Sequence, residues 1–348
     1  MRKSRLLLAP LAALGLVVAA CGGDDDASPE AAASTEAPAG GSCDLTGGVA
    51  FDTGGRGDGT FNDSAGEGAT RASSELGIEV KELEANVDED RKANLELLVE
   101  GGAKVIVGVG FMFTDPMAEI AAANPDVTFG IVDSVVEAPN VRSLVFAEEQ
   151  GSFLVGAAAA LKSESGKIGF IGGQEIDLIK KFEAGYIAGA KYINPDIVVE
   201  SKYLGPAGDN SAWGNVAGAK EIASGWYADG ADIIYTAAGG SGAGTIEAAV
   251  EAGKWAIGVD SDQYLTASND EQKARILTSM LKRVDVAVFE TMKAACEGDT
   301  AGGIKVFDLS NDGVGYSTSG GYVDDIAGQL DELKAKIVSG EITVPTAP

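Results

Sequence analysis

From residue 46 onward, short apolar runs alternate with longer amphipathic stretches, and that alternation leaves few architectures open. The runs cover 49–51, 80–83, 105–109, 127–132, 168–171, 197–203, 233–235 and 255–259. Stretches between them, such as 88–100 and 182–193, carry apolar residues at helical spacing among good helix formers. Strand, amphipathic helix, strand is the βαβ unit, which builds a parallel sheet covered by helices. About 300 residues is long for one such sheet and suits two lobes. The rhythm restarts after Glu148, where 151–161 reads as a connecting helix before a fresh strand at Lys167. Solutes in open α/β sheets bind at the carboxyl ends of the strands, so two facing lobes form a cleft there. The expectation is an α/β chain of two doubly wound lobes. The first takes 43–147 plus about 271–307, the second 148–270 plus about 308–348.

The segment before this body reads as targeting rather than fold. Arg2, Lys3 and Arg5 precede an apolar run over 6–20, the order of a secretory signal and too short to anchor a mature chain. Val18, Ala19, Ala20 and Cys21 resemble a bacterial lipobox, which implies cleavage after residue 20 and a lipidated Cys21. Residues 22–42 hold Gly, Ala, Ser, Pro and acids without a large apolar side chain, the composition of a tether from membrane to folded body.

Composition removes whole classes of chemistry. The chain has no histidine, which excludes Ser-His-Asp and Cys-His nucleophile systems and every histidine-bearing metal site. The formal net charge is −27, with no basic stripe to meet nucleic acid phosphates. Beyond Cys21 only Cys43 and Cys296 remain. In an oxidising compartment they are either a disulfide or two buried thiols, and spacing does not decide between these.

Candidate binding residues gather where runs end. The first breaks at Asp52 into TGGRGDGTFNDSAGEGA, with Phe61 and Asn62 just before a helix start near Asp63. Glycines allow the backbone a tight loop there, and a helix start offers donors. VGVGFMFTDP puts Asp115 at a helix opening, as a cap or as an acceptor for a base edge. IIYTAAGGSGAGTIEAA carries a glycine turn containing Gly240, similar to the turn of dinucleotide-binding folds. Asp260 follows at about the 20-residue interval of such folds, which keeps a cofactor-using enzyme among the readings; export argues against it. Asp260 and Lys282 end later strands, and an acid with an ammonium suits vicinal hydroxyls. The sequence DSD at 260–262 lacks the loop spacing of a calcium site.

In this order the segments resemble the basic membrane protein family, the purine nucleoside-binding lipoproteins of ABC uptake systems. The matching stretches are FDTGGRGDGTFNDSAGEGA, GFMFTDP, GKIGFIGGQEIDLIKKFEAGYIAGAKYINP, AAGGSGAGTIEAA, GVDSDQ and LTSMLKRVDVAV, spread over 48–288. The resemblance implies a type I periplasmic-binding-protein fold that closes on a nucleoside without chemistry, without a cofactor or metal, and serves an ABC permease. It also implies roles. Phe61 stacks on the purine, Asn62 and Asp115 read its edge, Asp260 and Lys282 hold the ribose, and Asp52 and Gly240 add contacts. Where relatives often have Phe-Asn-Asp-Pro, Ala212, Trp213, Gly214 and Asn215 stand here, which makes Trp213 the second stacking face. Two alternatives stay open: the same fold taking a sugar or other small solute, and a surface adhesin or signalling lipoprotein.

Overall fold

The computed structural model describes residues 43–348. The expected signal segment, the lipidation site Cys21 and the tether lie outside the described residues. The first part of the body runs β1 (Thr46–Phe51), α1 (Phe61–Leu76), β2 (Glu79–Glu84), α2 (Asp88–Glu100), β3 (Val105–Val109), α3 (Thr114–Ala123), β4 (Thr128–Val132) and β5 (Val141–Phe146). There follow α4 (Glu148–Lys162), β6 (Lys167–Glu175), α5 (Asp177–Ile193), β7 (Val198–Pro206), α6 (Val216–Ala228), β8 (Ile233–Ala237), α7 (Gly242–Ala252) and β9 (Trp255–Asp260). Two short helices, α8 (Gln263–Thr266) and α9 (Asp270–Lys273), precede β10 (Ile276–Lys282) and α10 (Val284–Cys296). The chain closes with β11 (Gly303–Phe307), β12 (Val314–Tyr316) and α11 (Ala327–Val338). Among the described residues no helix is long and apolar enough to cross a membrane.

The strands form two six-stranded sheets, ordered β2-β1-β3-β4-β5-β11 and β7-β6-β8-β9-β10-β12. All pairings are parallel except that of β12 with β10. β3, β4 and β8 are buried at every residue, as central strands covered on both faces must be. The edge strand β2 is exposed apart from Val80 and Leu83, which are half-buried. The two sheets therefore repeat one topology, each with its order reversing beside its first strand, where such sheets open a crevice.

Three connections join the lobes, and one falls elsewhere than the sequence reading had it. That reading gave about 271–307 to the first lobe. β10 instead pairs with β9 and β12 in the second sheet, and the chain crosses at Lys282–Val284. Only α10, packed on α1, β3 and β4, and β11, paired with β5, return to the first lobe. An apolar run reads the same in either sheet, so register against a neighbour decides its membership. At the other crossings Phe146 stacks on Phe307 with centroids 4.9 Å apart, and Ala147 N donates to Phe307 O at 2.9 Å.

Helices α4 and α5 touch backbone to backbone beside this hinge. A Cβ on Gly189 would stand 1.9 Å from Phe153 O, and one on Gly185 2.1 Å from Glu149 O. That approach brings Lys181 of α5 to Glu148 at the start of α4, with Nζ 3.1 Å from Oε2. In the first lobe Cys43 and Cys296 form a disulfide that ties the body's first residue to the end of α10.

Candidate solute-binding cleft

Strand ends from both sheets meet around a cavity of about 240 Å³. The first lobe contributes Asp52 after β1, Phe111 and Met112 after β3, and Asp133 after β4. The second contributes Ala238 and Gly240 after β8, Asp260 of β9 and Lys282 of β10. Hydrogen bonds also join loops of the two lobes. Ser261 Oγ donates to Thr60 O at 2.7 Å, Thr266 Oγ1 to Gly59 O at 3.1 Å, and Asn210 Nδ2 to Asp88 Oδ1 at 3.0 Å.

The charged end of the cavity is centred on Lys282, whose side chain is 2% exposed. Its ammonium stands 2.7 Å from Asp133 and 3.2 Å from Glu148 Oε1. The rings of Phe61, Phe146 and Phe182 surround it at 5.3, 5.0 and 5.5 Å from their centroids. Burial opposes its charge, but Asp133, Glu148 and Asp260 outweigh that and raise its pKa. Asp260 makes no side-chain hydrogen bond to the described residues, and burial, with Asp133, Asp58 and Glu148 adding to it against Lys282, pushes its carboxyl up to about 7. Asp133 and Asp260 also share a backbone feature. Their φ values are +66° and +63°, left-handed conformations that side chains rarely adopt. Such strain costs on the order of 1–3 kcal/mol and persists where the surroundings enforce it, often at functional sites. Asp133 directly follows, and Asp260 ends, the fourth strand of its lobe.

The walls are aromatic. Phe61 opens α1, whose first amides are taken up by Asp58: its carboxylate accepts from the backbone N–H of Thr60, Asn62 and Asp63 at 2.9–3.1 Å. Burial raises the pKa of Asp58, and those same amides oppose the rise. Asn62 Nδ2 also donates to Asp58, which leaves Asn62 Oδ1 buried without a protein partner. From the other lobe, Trp213 meets Phe111 edge-on with centroids 6.4 Å apart. Its indole lies against Gly173, where a Cβ would stand 2.3 Å from the ring; its Nε1 is buried without a partner.

Of the residues expected from sequence, Asp52, Phe61, Asn62, Trp213, Gly240, Asp260 and Lys282 line this cavity together. Asp115 does not. It is exposed in the first turn of α3, because the helix starts at Thr114 and turns that side chain outward. Phe111 and Met112 of the preceding loop reach the cavity in its stead. Sequence reasoning missed Asp133, although FGIVD ends a strand in an acid just as VAFD and AIGVD do. It also missed Asp58, Phe182 and Arg91. Phe182 was hidden in a helical pattern, and Arg91 bonds Asp52 from behind without lining the cavity. Among the described residues no group of side chains is arranged to hold a metal.

Comparison with known proteins agrees with this architecture. Residues 46–347 match the family model described as "Bmp: ABC transporter substrate-binding protein PnrA-like". The CD4+ T-cell-stimulating antigen of Listeria monocytogenes is 34% identical over all of this chain and 99% of its own. The ABC transporter nucleoside-binding protein BmpA of Lactococcus lactis is 35% identical over 87% of this chain and 90% of its own. Among solved structures, a solute-binding protein of an ABC transporter system from Aeropyrum pernix K1 superposes with a TM-score of 0.74 at 29% identity, covering 87% of this chain and 93% of that one. The fold is that of the type I periplasmic binding proteins, and the family binds solutes for transport rather than transforming them. With two lobes closing strand ends over a polar and aromatic cavity, and a family match across nearly the whole body, the chain belongs to the basic membrane protein family of ABC transporter substrate-binding proteins.

Proposed function

We propose that the solute is a purine nucleoside, and that the protein presents it to an ABC permease from outside the cytoplasm, held to the membrane by a lipid on Cys21. The observation that carries this reading is one cavity with aromatic walls from both lobes and an acid–ammonium pair at one end. A purine has two apolar faces, and stacking on Phe61 and Trp213 supplies roughly 1–3 kcal/mol per base contact with little selectivity. Selectivity then falls to polar groups. Asn62 Oδ1 and Trp213 Nε1 are a buried acceptor and a buried donor, neither partnered by protein, and each costs stability until something bonds it. Asp260 accepts from ribose hydroxyls and Lys282 donates to the same oxygens. Four cavity aspartates around one lysine disfavour a phosphate, so the nucleoside is preferred to the nucleotide. The name of the Lactococcus lactis relative points the same way.

The test is a thermal-shift screen of protein stripped of solute by unfolding and refolding, against nucleosides, free bases, sugars and amino acids. A solute at a hundred times its dissociation constant adds about 2.7 kcal/mol of stability, seen as a raised melting temperature. A rise with adenosine, guanosine or inosine is the expected result. A rise with sugars alone keeps the fold and discards the nucleoside, and no response to any solute favours a protein-binding role.

A further inference from the structure

Arg91 of α2 lies behind the cavity wall, 3% exposed, and links two parts of the site that belong to different lobes. Its Nε donates to Asp52 Oδ1 at 2.8 Å, and its Nη2 stands 2.6 Å from the same oxygen. Thr53 N donates there too, at 2.6 Å. Asp52 Oδ1 is thereby saturated, while Oδ2 stays buried and unpartnered, the one acceptor this carboxylate has left for a solute.

The other arm of the guanidinium reaches the lobe interface. Arg91 Nη1 donates to Asp88 Oδ1 at 2.7 Å, and that oxygen also accepts from Asn210 Nδ2 of the second lobe at 3.0 Å. Asn210 opens the short 3-10 turn Asn210–Trp213, whose last residue is the aromatic wall. Gln174 Nε2 holds the same asparagine from behind at 3.0 Å. Asp88 is 69% exposed, and a carboxylate in water adds little to fold stability.

We infer that Arg91 is a positioning residue, tying the solute acceptor Asp52 to the seating of Trp213 across the lobe interface through Asp88 and Asn210. The planar fork makes this possible, since one guanidinium serves two carboxylates in fixed directions where a lysine offers a single point charge. The inference rests on the solute-binding reading of the cleft and not on which solute it takes.

The test starts without solute, in protein carrying Trp226→Phe and Trp255→Phe so that Trp213 is the sole tryptophan. Asn210→Ala, Asp88→Ala and Arg91→Lys are each expected to raise acrylamide quenching of Trp213 about twofold, and Arg91→Lys with Asn210→Ala no more than either alone, because they cut one relay. With inosine as probe, dissociation speeds up about tenfold in each variant while association changes less than about threefold, the usual partition for contacts made after encounter. Quenching at the wild-type level in Arg91→Lys, or in both Asn210→Ala and Asp88→Ala, overturns the relay, as does a double variant whose effect is the product of the singles. Should Arg91→Lys fail to fold, Arg91→Gln, whose single amide cannot serve both carboxylates, takes its place in the same comparison. If inosine does not bind, the nucleoside reading fails, and the quenching arm still judges Arg91.

Discussion

Lys282 ends a strand of the second lobe, and Asp133 follows a strand of the first, yet the lysine ammonium and the aspartate carboxylate stand 2.7 Å apart with both side chains almost fully buried. The pair spans the two lobes at the end of the cavity nearest the hinge. Removing the lysine leaves Asp133 buried without its cation and Glu148 with Lys181 alone.

Lys282→Ala is therefore expected to destabilise the protein by about 3 kcal/mol, the range for breaking one side of a buried ion pair. It should weaken nucleosides far more than free bases, which lack the ribose hydroxyls proposed for it. Asp133→Asn should weaken the same ligands at least about tenfold, while Asp115→Asn, on the exposed side of α3, leaves binding unchanged. Calorimetric titration of the three variants checks the set, and equal losses for nucleoside and base in Lys282→Ala would sink the ribose assignment.

Asp260 predicts a pH dependence. Its folded pKa of about 7 lies above the ordinary value of 3.8. Between those values folding takes up a proton, so the stability this group contributes is full below about pH 4, falls as pH rises and is lost above about 7. Binding runs the other way, because a hydroxyl donating to the carboxylate favours its ionised form. Affinity should be highest above pH 7 and fall, approaching about tenfold per unit, as pH drops below it. Asp260→Asn should flatten both profiles; an unchanged slope in that variant would assign the titration to another group.

Gly173 predicts a steric effect on the aromatic wall. A methyl group there would stand 2.3 Å from the indole of Trp213, so the ring must move. Gly173→Ala should lower affinity by about tenfold and shift the Trp213 emission, whereas Trp213→Phe retains most of the stacking. Wild-type affinity in Gly173→Ala would mean that the ring's seating does not matter to the solute.

The disulfide predicts a stability effect without a binding effect. Cys43 and Cys296 are 253 residues apart in sequence, and their link removes much freedom from the unfolded chain. Replacing both by serine should cost about 2–5 kcal/mol. Neither residue lines the cavity, so solute affinity at 25 °C should hold. Chemical denaturation with and without solute separates the two.

The periodicity of apolar runs was enough, by itself, to define the βαβ rhythm, the two lobes and the placing of ligand groups at strand ends, because these follow from local spacing and the geometry of parallel sheets. Asp52, Asp260 and Lys282 were legible for that reason: each ends or directly follows a buried strand. Asp115 falls outside the cavity because α3 begins at Thr114 and carries that side chain on its exposed side, which the local sequence does not determine. Only the tertiary structure decided that β10 belongs to the second sheet, that Cys43 meets Cys296, and that Arg91 joins Asp52 to Asp88 and Asn210. Those relations depend on register and on contacts between residues distant in sequence, and no local pattern encodes which of several equally apolar or equally charged partners will be brought near.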